Sequence, residues 1–70
     1  MNEITIFAHN VASTRARQKL SQSQVSSRSG IHVTEVSRIE RGLRDPRVTT
    51  VIRLARALEV QPARLLDGIP

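Results

Sequence analysis

Residues 21–42, SQSQVSSRSGIHVTEVSRIERG, decide how this chain folds. Ser21 is placed to cap a helix, because its hydroxyl can accept from a backbone amide two or three residues on, and Gln24 stands at the N3 position of a capping box. Val25 supplies the apolar contact, and the small Ser26 and Ser29 are the inward positions that let another helix cross closely. Gly30 takes a positive φ without steric cost, which stops the helix and turns the chain. Ile31 then plugs the corner. A second helix runs from about Val33 to Arg41, with Ile31 or His32 near its cap. Its Val36 and Ile39, three residues apart, face inward, while Thr34, Ser37, Arg38 and Arg41 share the opposite face. Gly42 closes it. Two short helices held at a fixed angle by a glycine turn let one enter a DNA groove while the other braces it against the backbone.

The flanks supply the remaining helices. Upstream, Ile4, Phe7, Val11 and Thr14 or Arg15 recur at three-to-four spacing, the stripe of a helix with one buried face. Asn2 or Thr5 caps its start, it ends near Lys19, and Leu20 returns to the core; His9, Asn10, Ser13 and Arg17 fall on faces expected to be solvated. Downstream, Leu43 to Pro46 form a turn in which Pro46 blocks further helix. Thr49 or Thr50 is expected to open a fourth helix carrying Val48, Val51, Ile52, Ala55 and Leu58 inward, with Arg53 and Arg56 in water, packed under the first two helices. Pro62 suits the first turn of a short fifth helix bearing Leu65 and Leu66 and ending at Gly68. No strand, repeat or low-complexity tract is expected.

Composition limits what such a domain can do. Seventy residues suggest a single domain over 1–70 that leaves little room for a lined catalytic cavity. Without cysteine there is no disulfide or thiolate metal site and no tie to an oxidising compartment, and the two histidines, His9 and His32, lie on different helices. No metal or cofactor is expected. No apolar run approaches the ~20 residues of a membrane span, and the N-terminus lacks the pattern of an export signal. The expected setting is cytoplasmic, at the nucleoid, without a membrane partner.

Eleven Lys or Arg oppose six Asp or Glu, a net charge of +5, which suits a polyanion. All the basic residues but Lys19 are arginine, which favours planar bidentate contacts to phosphate or guanine. Phe7 is the only aromatic residue, so the stacking platforms of most single-strand and RNA binders are missing. Duplex DNA is the better ligand. Nothing suggests an enzyme: there is no thiol, no His facing a carboxylate at useful spacing, and no phosphate-cradling glycine loop.

Phe7, Val11, Arg15, Leu20-Ser21-Gln22, Val25, Gly30, the run Val36-Ser37-Arg38-Ile39-Glu40-Arg41-Gly42, Pro46, Leu54-Ala55-Arg56-Ala57-Leu58 and Leu65-Leu66 together resemble the Cro/CI-type (XRE-like) helix-turn-helix family of phage and bacterial regulators. The resemblance spans roughly residues 5 to 67. It implies an all-α, compact, five-helix, lambda-repressor-like DNA-binding domain with its helix-turn-helix at about 21–41, and repression of transcription as the usual role. It also implies an ion pair between Arg15 and Glu40 joining helices one and three. Thr14 stands where the family has leucine, Lys19 and Glu59 where glycine commonly ends a helix, and Ser26 where a small alanine is usual.

Residue roles follow from the faces. Thr34, Ser37 and Arg38 are the base-reading candidates, with Arg38 able to bridge O6 and N7 of a guanine; the competing role for Arg38 is a phosphate contact or a pair with Glu35. His32 and Val33 lead the third helix. His32 reaches a phosphate or base or caps the helix, and Val33 touches a thymine methyl or joins the core. Gln22 at the head of the second helix is a phosphate contact, and Arg41, Arg44 and Arg47 are phosphate clamps around the following turn. The expected partner is a double-stranded DNA operator, bound by a homodimer on a pseudo-palindrome with half-sites ~34 Å apart, with no small-molecule ligand. The alternatives are an antitoxin-like regulator meeting a protein partner through Leu65, Leu66 and Ile69, or an adaptor whose basic face meets an acidic protein.

Overall fold

The computed structural model describes residues 2–70. It is all-helical: α1 spans Glu3–Arg17, α2 Gln22–Ser29, α3 Val33–Glu40, α4 Val48–Ala57 and α5 Pro62–Leu65. Three starts have an evident local cause. The Asn2 side chain caps α1 by accepting from the Thr5 amide. Ser21 and Gln24 form a reciprocal capping box at α2, and Pro62 sits in the first turn of α5.

Three helix ends share one device. After α1, α3 and α4 the chain passes through a left-handed residue, Lys19, Gly42 or Glu59, with φ of 58°, 74° and 55°. In each case that residue's amide and the next one bond back to two of the last carbonyls of the helix, the paired bonds of a Schellman motif. The residue that follows is apolar each time, and Leu20 and Val60 pack against the core. Gly42 adopts this conformation freely, whereas Lys19 and Glu59 carry a Cβ into a region that costs ~1–2 kcal/mol.

The core is built from every helix: Phe7, Val11, Val25, Val36, Ile39, Leu54, Leu58 and Leu65 are all buried. Each contributes roughly 1.5–3 kcal/mol on leaving water. α1 packs against α3 and α5, α2 against α3 and α4, and α4 against α2 and α5.

Five details differ from the sequence reading. α4 begins at Val48 rather than at either threonine, since Arg47 already has the extended backbone of a cap although no side chain caps the helix. Val48 is therefore exposed, at 75%, and the inward stripe of α4 is Val51, Leu54, Ala55 and Leu58. α4 lies on α2 as expected, but its other main neighbour is α5 rather than α1. Asn10 is not merely solvated: its side-chain amide donates to the Leu65 and Asp67 carbonyls, both at 2.9 Å, and fastens the end of α5 to α1. Ser13 is half-buried and donates to the Asn10 carbonyl.

Replacing Lys19 or Glu59 by glycine removes the left-handed strain at the cost of a more flexible unfolded chain. Each substitution is expected to add up to ~1 kcal/mol, raising Tm by roughly 4–8 °C for each kcal/mol in a domain of this size. Thermal unfolding followed by circular dichroism checks this, and a fall in Tm would contradict it.

Candidate nucleic-acid interface

The turn between α2 and α3 is built by serines as much as by glycine. Gly30 sits at φ 75°. The Ser26 hydroxyl donates to the Ile31 carbonyl, and the Ser29 hydroxyl oxygen accepts from the Ile31 amide. These two bonds satisfy both backbone groups of Ile31 as its side chain enters the core, where an unpaired amide or carbonyl would be costly. Ser26, which departs from the family's alanine, thus has a structural task.

The other end of α3 is held by charge. Arg15 on α1 donates through Nε and Nη2 to the two carboxylate oxygens of Glu40, at 2.7 and 2.9 Å, and through Nη1 to the Leu20 carbonyl at 2.9 Å. The Glu40 side chain is only 5% exposed, and it accepts a further bond from Gln22 on α2. One carboxylate therefore ties α3 to both α1 and α2. The hydrogen bond to Glu40 raises the pKa of the Arg15 guanidinium, partly opposed by burial.

With α3 fixed at both ends, its remaining face points to solvent. The His32 side chain caps the helix, its Nδ1 accepting from the Thr34 amide at 3.1 Å. With Nδ1 spent on that bond, Nε2 is the ring nitrogen left over as a donor. Thr34 is exposed, while Val33, Ser37 and Arg38 are half-buried. Val33 is thus neither a full core residue nor fully free. Arg41, the helix C-cap, is exposed and donates weakly to the Ser37 carbonyl. Arg47 at the cap of α4 is exposed, and no ion pair engages it among the described residues.

Two of the expected phosphate contacts already have protein partners. The Gln22 side chain is spent on Glu40, which leaves the exposed head of α2, rather than that side chain, to face an anion. Arg44 donates through Nε to both oxygens of Glu35, at 3.0 and 3.3 Å. Glu35 also lies 3.9 Å from Arg38. The Glu35–Arg38 pairing is suspected from spacing along α3, whereas the contact with Arg44 crosses a turn.

A short helix pinned at both ends, with hydroxyls, an imidazole and arginines on its free face, defines a helix-turn-helix DNA-reading module. Residues 11–65 match the helix-turn-helix family HTH_3, and the chain belongs to this family of transcriptional regulators. It is 41% identical over 61 residues to the control protein C.SmaI of Serratia marcescens, covering 87% of this chain and 73% of that protein. It is 36% identical over 67 residues to y4dL of Sinorhizobium fredii, an uncharacterized HTH-type transcriptional regulator, covering 90% of this chain but only 34% of that protein. Among solved structures, the restriction-modification controller protein C.AhdI of Aeromonas hydrophila superposes with a TM-score of 0.86 at 29% identity, covering 89% of this chain and 94% of that one. The hypothetical transcription factor NHTF of Neisseria does so at 0.88 and 26%, with 93% of this chain and 75% of that one covered.

Arg15→Met leaves the Glu40 carboxylate buried beside Gln22 alone. The expected loss is about 3 kcal/mol, and Arg15→Met with Glu40→Leu should recover much of it, since an apolar pair has no charge to strand. Urea denaturation of both variants checks this; a double variant as unstable as the single one would refute it.

Proposed function

We propose that the protein is a sequence-specific repressor of transcription that places α3 in the major groove of duplex DNA. The observation that carries this reading is the single outward face of α3, where Thr34, Ser37 and Arg38 stand together on a helix fixed at both ends. Arg38 bridges O6 and N7 of a guanine, Thr34 and Ser37 read neighbouring base edges, and Val33 lies against a thymine methyl. His32 adds its free Nε2 donor at the leading end of the helix. The head of α2, where Gln22 is half-buried, together with Arg41, Arg44 and Arg47, grips phosphates on either side. The protein works at the nucleoid, without cofactor or small-molecule ligand.

The same reading makes the protein a homodimer on an inverted repeat. An apolar hollow of about 140 Å³, lined by Ile4, Phe7, Val51, Leu66 and Ile69 among others, opens at the surface. Leu66 is 45% exposed there, and Val48 lies one turn from Val51 on α4. This apolar patch supports a docking site for a second copy. The likeness to C.SmaI and C.AhdI favours one narrower role within the same chemistry, that of a controller of a restriction-modification system.

Selection of bound duplexes from a random pool at near-physiological salt tests the proposal. Enrichment of an inverted repeat is expected, and a pool left unenriched would overturn sequence-specific reading. On the selected site, Arg38→Ala should cost ~1–3 kcal/mol of discrimination at one base pair. Arg47→Ala should weaken binding to all sequences alike and reduce the salt slope by about 0.9.

A further inference from the structure

The interface carries one residue of the wrong sign. Glu35 lies at the third position of α3, on the same side of the protein as the arginines meant for DNA, and its side chain is 36% exposed. A carboxylate is at home there as far as the helix is concerned, because the first turn of a helix carries partial positive charge. For a surface that must approach phosphates it is a liability. Glu35 is nevertheless not idle: one oxygen lies 3.9 Å from Arg38 Nη1, and both accept from Arg44 Nε at 3.0 and 3.3 Å. A single acid therefore holds a base-reading arginine and a phosphate-gripping arginine together. Arg38 and Arg44 are 44% and 42% exposed, so neither is sequestered, and each is free to exchange its partner.

From this geometry we infer that Glu35 is a specificity-determining residue that suppresses binding to DNA of the wrong sequence. The inference rests on the reading of α3 as the DNA-reading helix. Non-specific affinity comes almost wholly from arginines and lysines neutralising phosphates. Glu35 holds Arg44 through Nε alone, so at a random sequence Arg44 meets a phosphate with the carboxylate still attached and Arg38 beside it. The negative charge then offsets much of what the two arginines gain from phosphates. At the proper sequence Arg38 swaps the distant Glu35 oxygen for two acceptors on one guanine edge, a bidentate contact that the carboxylate does not match. Glu35 can then remain on Arg44, now as its sole partner, and orient it along the backbone. Glu35 thus penalises phosphate-only binding more than base-reading binding, which is how a repulsive element raises the ratio between right and wrong partners. Arg41 and Arg47 have no carboxylate partner among the described residues and supply the ungated part of the affinity.

The test compares wild type, Glu35→Gln, Arg44→Gln and the double variant on the selected duplex and on a scrambled duplex of equal length, across a series of salt concentrations. Glutamine keeps the size and exposure of Glu35, and thermal unfolding of each variant controls for folding. Glu35→Gln is expected to tighten binding to the scrambled duplex about tenfold while changing the selected site much less. It should also steepen the salt dependence on scrambled DNA by about 0.9, the value of one added phosphate contact. In the Arg44→Gln background the gain should shrink, because the arginine being restrained is gone. Equal tightening on both duplexes, or no change on either, would overturn the role of Glu35 while leaving the DNA reading intact. A wild type that does not distinguish the two duplexes would overturn both.

Discussion

The two-oxygen contact between Arg15 and Glu40 is the constraint on which the rest of the structure depends. α3 is only eight residues long, too short to be stable by itself in water. Its position is set entirely by what it touches. Val36 and Ile39 bury its inner face, but apolar contacts are non-directional and leave a helix free to roll or slide. The guanidinium of Arg15 is planar and forked, and it matches the carboxylate in one orientation only. Gln22 and the Leu20 carbonyl complete the arrangement, so a roll of α3 breaks several bonds at once. Charge here serves direction more than stability.

Electrostatics on the outer face follow a different rule. The positive excess gives attraction to any polyanion, yet the arginines are not equivalent. Arg15 is spent inside, Arg44 and Arg38 share Glu35, and Arg41 and Arg47 stand apart from any carboxylate among the described residues. Arg28 donates to the Ala57 carbonyl at the end of α4, where a cation suits the negative end of the helix dipole. The sum of charges therefore overstates how many are immediately available to a phosphate.

What was legible in the sequence was what neighbouring residues decide together. The capping box of Ser21 and Gln24, the left-handed turn at Gly30, the closure at Gly42 and the inward pair Val36 and Ile39 all act within four residues and could be read directly. The start of α4 was misread because two threonines resemble caps, while the extended residue that does the capping, Arg47, has no side-chain signature for it. Asn10 was missed because its acceptors at Leu65 and Asp67 are more than fifty residues away. The pairing of Arg44 with Glu35 was hidden by the turn between them. Arg15 and Glu40 lie 25 residues apart, and only family resemblance suggested that they meet. The left-handed residues at 19 and 59 had a subtler signal: each precedes an apolar residue that packs on the core, the companion of a Schellman closure even where glycine is absent.

The shortness of α3 also limits how much information one copy can extract. Eight helical residues span about 12 Å, the height of only three or four stacked base pairs at ~3.4 Å each. A four-letter word recurs by chance about once in every few hundred base pairs, far too often to mark one locus among ~10⁶ or more competing sites. No improvement in the chemistry of Thr34, Ser37 or Arg38 changes that arithmetic, because the reach of the helix is fixed by its length. On the proposed reading, addressing a single genomic position requires the word to be read more than once, at a fixed spacing, by rigidly related copies of the same helix. The length of one helix would then make assembly a condition of meaning.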